Sequence, residues 1–251
     1  MMSEKRTGRL IRETVLAMVV IMVFYFCQGA AVVTQGLEGA QAKWTQSVFI
    51  WSSVLVALIF FLIKNKNLVC LGFVRPDYSE LKGLLYLIPM ILIALSGCIN
   101  GVDFGQSGYI IASLVLTIGV GFSEEIYFRG IILGIWLKNR GKTQAIVISS
   151  ILFGVTHLLN VLGGASIVAT ILQIFFAFFY GIVMAFVMIR MKSIWSCMFL
   201  HFLHDFCSFI GRDVPPVAEI ILGASQAVVL LAFVVYLIRT DSKSIDSEKR
   251  H

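Results

Sequence analysis

The sequence predicts an all-α protein, a polytopic bundle of about eight transmembrane helices. Of its 251 residues, 59% are hydrophobic and only 14% are charged, a balance that does not occur in soluble domains of this size. Apolar runs long enough to cross a bilayer as helices recur along the chain. We therefore expect a single membrane domain over residues 1–251, with polar tails at 1–12 and 240–251.

The hydrophobic runs divide the chain into eight predicted spans. They cover residues 14–34, 47–63, 83–100, 108–137, 144–160, 166–189, 193–210 and 216–238. The fourth run is longer than the roughly 20 residues that one straight crossing needs. Gly119 and Gly121 could bend it, and the sequence leaves open whether this run is one helix or two.

Lysine and arginine residues are distributed unevenly between the two ends of the predicted bundle. Seventeen of the 20 lie in the tails and connections on one side, the other side holds Lys43 and Arg212, and Arg129 lies within a span. Because basic residues remain on the cytoplasmic side, this asymmetry predicts cytoplasmic N and C termini. The compact chain without targeting signals favours a bacterial plasma membrane. The basic residues lie at span ends rather than along one face, which excludes nucleic acid as a partner.

Ionisable residues within the spans are concentrated on the fourth, fifth and seventh predicted helices. A charged side chain at the membrane centre costs roughly 2.5–3.5 kcal/mol on insertion scales, so such residues need partners or a function. At about 1.5 Å per residue, the groups lie roughly 12–21 Å from the inner helix ends and can meet in one layer. The set consists of Glu124, Glu125, Arg129, His157, His201, His204 and Asp205.

The spacing of these residues suggests how they are paired. Glu125 and Arg129 are four residues apart, so they share a helix face and can form an ion pair. Glu124 points about 100° away from Glu125, which leaves it a free carboxylate and a candidate general base. His201 and Asp205 share a face in the same way. Each residue has a packing interpretation on its own, but the set on three helices favours a functional site.

Two chemistries are open for this set of residues. In one, Glu124, His157 and His201 hold a zinc ion that activates a water molecule. In the other, Glu124 and His157 activate the water directly, while His201 and Asp205 steady the developing oxyanion. Both chemistries make water a nucleophile inside the membrane, and both predict hydrolysis.

Three short motifs in the chain resemble those of the CAAX protease and bacteriocin-processing (Abi) family. Residues 124–129 match E-E-x-x-x-R, residues 153–157 match F-x-x-x-H, and residues 201–205 match H-x-x-x-N/D. The motif-bearing core extends over about 108–210. The resemblance implies an intramembrane endopeptidase, commonly described as a metalloprotease with Zn²⁺, that acts on a membrane-associated protein or peptide in the lipid bilayer.

The resemblance also implies roles for the residues that match the motifs. Glu124 and His157 would activate the water, and Glu125 and Arg129 would support them. His201 and Asp205 would serve the oxyanion or a metal. The third motif ends here in Asp205 rather than asparagine, and an ionised aspartate cannot donate a hydrogen bond. This favours a metal-side or histidine-orienting role for Asp205.

The substrate and two rival functions remain open at the level of sequence. Eukaryotic members of the family cut prenylated CAAX proteins, whereas bacterial members are linked to bacteriocin immunity and peptide maturation. A non-catalytic immunity or scaffold protein could retain the same polar cluster as a structural network. An ion-coupled transporter could use buried carboxylates, but the chain has no inverted repeat to support it.

Overall fold

A computed structural model describes residues 4–65, 67–77, 87–104 and 107–248, and this part of the chain contains eight α-helices. They are α1 Glu4–Gln35, α2 Gly39–Asn65, α3 Ile88–Leu95, α4 Ser107–Arg140, α5 Lys142–Thr156, α6 Ile167–Met191, α7 Trp195–Ile210 and α8 Pro216–Glu248. Short helical turns lie at Val69–Leu71, Ser96–Cys98 and Leu159–Leu162. The prediction of an all-α polytopic bundle is confirmed, since the described residues contain no β-strand.

Six of these helices are long and apolar enough to cross a membrane, which makes the chain an integral membrane protein. They are α1, α2, α4, α5 with the turn that follows it, α6 and α8. The remaining two, α3 and α7, are shorter. The start of the predicted third span, residues 83–86, lies outside the described residues.

Helix α4 lies in the middle of the bundle and packs against α1, α2, α5 and α7. Two glycines let neighbouring backbones approach it closely. A Cβ on Gly119 would lie 2.8 Å from the Trp51 indole nitrogen of α2, and a Cβ on Gly121 would lie 3.0 Å from the Met198 carbonyl oxygen of α7. Small residues at such contacts are typical of helix packing in membranes. The position of Gly121 therefore fixes how near α7 comes to the acidic pair.

The fourth span is one continuous helix, which decides the question that the sequence left open. Its middle turns, Ile126–Leu133, are π-helical and begin directly after Glu125. The Ser149 hydroxyl of α5 donates a hydrogen bond of 2.9 Å to the Phe128 carbonyl inside this segment. All eight residues of the π segment are buried. Wide turns of this kind are frequent at functional sites in helices.

The basic residues of different connections meet at one end of the bundle. Arg6 of α1 donates a hydrogen bond to Asn139 at the end of α4. Lys142 at the start of α5 pairs with Asp241 of α8, and Lys64 of α2 pairs with Glu13 of α1. We call this the basic end. Four further basic residues predicted for this side, Lys66, Lys82, Lys249 and Arg250, lie outside the described residues.

At the opposite end, the connection after α3 contacts the connection after α7. The Asp103 amide donates to the Ile210 carbonyl at 3.1 Å, and the Arg212 amide donates to the Gly101 carbonyl at 3.0 Å. Gly211 approaches Gly97 so closely that a Cβ would lie 2.0 Å from the Gly97 oxygen. These contacts hold the end of α7 against the α3 side of the bundle.

Candidate active site

The His201 imidazole of α7 lies between the two adjacent carboxylates of α4. Its Nδ1 donates a hydrogen bond of 2.8 Å to Glu125 Oε1, and its Nε2 lies 3.3 Å from Glu124 Oε2. The third carboxylate, Asp205, places Oδ2 at 3.7 Å from the same Nε2. His201 is 5% exposed and Glu124 is 6% exposed, so this junction is almost closed to solvent. The first and third motifs therefore meet directly.

Glu125 and Arg129 form the ion pair that the spacing predicted. Arg129 Nη1 lies 3.2 Å from Glu125 Oε1, and neither side chain has any exposed surface. The Arg129 guanidinium also lies over the Phe153 ring, with 4.3 Å from its carbon to the ring centroid. Phe153 opens the second motif, so this contact joins α5 to the acidic pair.

The contacts of Glu124 and Glu125 differ from the predicted ones. It predicted one carboxylate paired with arginine and one free carboxylate. Instead, Glu125 binds both Arg129 and His201, and Glu124 is buried against the other nitrogen of the same imidazole. The spacing argument considered α4 alone, whereas the contact at Gly121 brings α7 close enough for one histidine to contact both carboxylates.

His157 is the first residue after α5 and is partly exposed. Its Nδ1 lies 3.1 Å from the Phe153 carbonyl oxygen, and its ring packs edge-on against Phe153. His157 interacts with Glu124 electrostatically. In the described part of the chain it forms no ion pair with Glu124. The second motif thus reaches the same region as the other two, because the rings of His157 and His201 both pack against Phe153.

Asp205 contacts a different histidine from the one that its spacing suggested. Its Oδ1 accepts a hydrogen bond of 3.2 Å from His204 Nδ1, whereas its nearest approach to His201 is 3.7 Å. The His204 ring stacks on Phe176 of α6, with 5.2 Å between centroids. His204, whose role the sequence left undecided, therefore faces the bundle and supports Asp205.

A cavity of about 1060 Å³ leads to this cluster. His157, His201, His204 and Asp205 line it on one side, and apolar residues of α6 and α8, among them Leu172, Phe176 and Ala224, form much of the remainder. The carboxylates of α4 lie behind the histidines and do not line it. A substrate in this cavity would meet the histidines first.

Two tyrosines belong to the site and were missed at the level of sequence. The Tyr180 ring of α6 packs against His201 and His204, and its buried hydroxyl has no hydrogen-bond partner among the described residues. Tyr25 of α1 brings its hydroxyl close to the Glu124 carboxylate. Both lie in predicted spans that contain no Asp, Glu, Lys, Arg or His. In such a span the sequence does not distinguish a functional tyrosine from one that only packs. Only the packing of α1 and α6 reveals them.

The zinc site that the sequence predicted would use the same donors. In the described part of the chain, no group of three or more His, Cys, Asp or Glu residues is arranged to hold a metal ion. Glu124 and His201 approach each other, and His201 Nδ1 is engaged by Glu125, whereas in the described part of the chain no hydrogen bond or ion pair joins His157 to either residue. The three residues predicted to hold zinc thus do not form a metal site in this arrangement. The zinc ion remains a prediction.

Comparison with known families locates the domain that carries these contacts. Residues 106–207 match the family described as type II CAAX prenyl endopeptidase Rce1-like. This segment resembles an Rce1-like domain. It includes α4 to α7 except for the last residues of α7, and all six predicted catalytic residues. The predicted resemblance to the CAAX protease family is confirmed, and it supports a membrane-embedded protease of CAAX type. No curated protein matches the chain in sequence.

Proposed function

We propose that this protein is an intramembrane endopeptidase that hydrolyses a peptide bond of a membrane-associated protein or peptide. One observation carries the proposal. In the Rce1-like domain, His201 contacts Glu124 and Glu125 at 3.3 and 2.8 Å, and His157 and Asp205 lie on the wall of the adjoining cavity. Glutamate with histidine is a pair that can make water a nucleophile.

Glu124 is the general base in this proposal. In this proposal, a water molecule hydrogen-bonded to both Glu124 and His157 is the nucleophile. Loss of its proton to Glu124 would let the water attack the scissile carbonyl. Glu125 and Arg129 position His201. Arg129 holds the Glu125 carboxylate in place, and this carboxylate accepts the hydrogen bond from His201 Nδ1.

The donors that face the cavity would stabilise the oxyanion. His201 and Tyr180 both line the cavity. Asp205 serves as an acceptor that fixes His204 and helps to orient His201, since a carboxylate has no proton to donate. The aspartate of the third motif thus has an acceptor role, which does not require the amide N–H donor of an asparagine. The mechanism is complete without a metal ion, and the zinc prediction is tested separately below.

The fixed contacts favour catalysis over the two rival functions. A scaffold protein needs no cavity of 1060 Å³ beside its polar network. A transporter needs a path for its cargo, whereas here the carboxylates of α4 are sealed behind His201. Bacteriocin immunity would be a consequence of the peptidase activity in this proposal.

The test uses the purified full chain in lipid vesicles with quenched fluorescent peptides that carry an apolar segment, with and without a farnesylated cysteine. We expect cleavage at one bond, located by mass spectrometry. Glu124→Gln should lower turnover by roughly 10²–10⁴-fold, as expected for loss of a general base. Glu38→Gln, the same change at an exposed residue outside the site, should leave turnover unchanged.

The same protein preparation tests the metal requirement, the type of substrate and the identity of the general base. Metal analysis of the active protein and a chelator assay test for zinc, and full activity at far less than one metal per chain would remove the metal from the mechanism. Cleavage that requires the farnesyl group would assign a prenylated substrate. Near-normal hydrolysis by Glu124→Gln would show that the assignment of the base is wrong.

A further inference from the structure

The residues that line the cavity lie toward one end of the bundle. Its lining comes from the residues just after α3, the end of α5 and the residue after it, the first part of α6, the second part of α7, the α7–α8 connection and the first part of α8. The outermost of these are Ser166, Arg212, Asp213 and Glu219. None of the basic-end residues lines it. The histidine-lined side of the cavity therefore lies toward the end opposite the basic end.

The two ends are far enough apart to lie on opposite faces of a membrane. Helix α6 runs from the cavity mouth at Ile167 to the basic end at Met191, and its 25 residues span about 37 Å at 1.5 Å per residue. A bilayer core is about 30 Å thick. Residues at the mouth and residues at the basic end are thus separated by the whole membrane.

Charge determines which end faces the cytoplasm. The described basic end carries Arg6, Lys64, Lys142 and Lys192 on four different segments, all paired with partners at that end. The cavity end carries Lys43, which lies 3.4 Å from the Phe209 ring centroid, and Arg212. Such an excess marks the cytoplasmic side in membrane proteins.

We propose that the catalytic cavity opens at the outer face of the membrane, and that its substrate is a peptide segment presented in the outer leaflet. The proposal rests on the function proposed above and adds the side of access. The apolar wall between α6 and α8 suits an apolar segment, and the mixed charges of Arg212, Asp213 and Glu219 at the mouth admit a polar flank of either sign. Lipidated proteins that stay on the cytoplasmic face would not reach the cavity.

Labelling of single cysteines tests the side of access. Glu219→Cys places a thiol at the cavity mouth and Lys138→Cys places one at the basic end; both positions are exposed and neither belongs to the catalytic machinery. Spheroplasts that express each full-length variant are treated with a membrane-impermeant maleimide, and labelling is counted above the parental chain with its five native cysteines. We expect Glu219→Cys to react in intact spheroplasts and Lys138→Cys to react only after detergent. The reverse pattern would overturn the proposal.

Activity in oriented vesicles gives a second readout. A membrane-impermeant form of the peptide cleaved by the purified protein is added outside right-side-out and inverted vesicles. We expect hydrolysis in the right-side-out vesicles and loss of hydrolysis in the inverted ones until detergent is added. Hydrolysis by inverted vesicles alone would contradict the outer opening. Failure in detergent as well would contradict the proposed function, while the labelling result would still decide the side.

Discussion

Ion pairs hold two regions of this protein together under opposite conditions. At the basic end, Lys64 Nζ lies 2.9 Å from Glu13 Oε1, and the two side chains keep 39% and 23% of their surface exposed. In the candidate active site, Arg129 Nη1 lies 3.2 Å from Glu125 Oε1 with no exposed surface on either side chain. The distances are similar, so only the surroundings distinguish the two pairs.

The surroundings determine what each pair does for the protein. An exposed ion pair is usually worth about 0–1 kcal/mol, because water and salt screen the charges. A buried pair gains little over apolar residues, but removal of one partner costs about 3–5 kcal/mol because it strands the other charge. The basic end can therefore lose a charge cheaply, whereas the site cannot. Buried charges such as Glu125 and Arg129, which destabilise the protein when one partner is lost, are consistent with a function.

The largest expected effect comes from breaking the buried pair. Arg129→Met should lower the free energy of unfolding by about 3–5 kcal/mol, because Glu125 would remain buried without its cation. Thermal unfolding in detergent measures the change. The double variant Glu125→Gln with Arg129→Met should recover part of the loss, since no charge is stranded. A single variant as stable as the parent would show that water or His201 already neutralises Glu125.

A smaller effect is expected at the tyrosine that lines the cavity. Tyr180→Phe removes a buried hydroxyl without a hydrogen-bond partner among the described residues, so stability should not fall. Turnover should fall by roughly 10²-fold if this hydroxyl donates to the oxyanion, with KM nearly unchanged.

Tyr127→Phe is the matched control for this prediction. Its hydroxyl donates to the Ser53 carbonyl at 3.2 Å, away from the cavity. Stability should fall by about 1 kcal/mol and turnover should stay normal. If Tyr180→Phe instead lost stability and kept its turnover, the hydroxyl would be structural.

The approach of α7 to α4 offers a change that moves the site without removing any of its groups. A Cβ on Gly121 would lie 3.0 Å from the Met198 carbonyl oxygen and 3.3 Å from the Phe202 amide nitrogen, on either side of His201. Gly121→Ala should push His201 away from the carboxylates and lower turnover by up to about 10²-fold, because small misplacements are costly in catalysis.

Gly134→Ala in the same helix is the control, since its Cβ would meet no atom within 4 Å. It should leave turnover unchanged. The two variants are compared by kcat on the peptide from the activity test and by their unfolding temperatures. Equal loss of turnover in both would point to helix propensity rather than to the distance between α4 and α7.

The sequence predicted the bundle because the membrane imposes long apolar helices and a one-sided distribution of basic residues. It also predicted that ionisable residues of three helices would come together, since Glu124, His157 and His201 stand out against apolar neighbours. The contact between Glu125 and Arg129 followed from helix spacing alone. These features depend on local periodicity and on the cost of burying charge.

Contacts between helices were not predictable in the same way. His201 bridges both carboxylates because Gly121 brings α7 close, and Asp205 binds His204 rather than His201. Tyr180 joins the site through the packing of α6, and nothing in its neighbourhood of the sequence marks it. Such features depend on distances between segments that the sequence pattern does not specify.

The smallest expected effect is at the basic end, where Lys64→Met removes one cation of an exposed pair. Glu13 would keep Arg9 as a partner at 3.1 Å, so no charge is stranded. The free energy of unfolding should fall by less than about 1 kcal/mol, and the difference should vanish at high salt. Unfolding of the parent and Lys64→Met in low and high salt measures both. A loss of unfolding free energy as large as that of Arg129→Met would show that the exposure of an ion pair does not determine its contribution to stability.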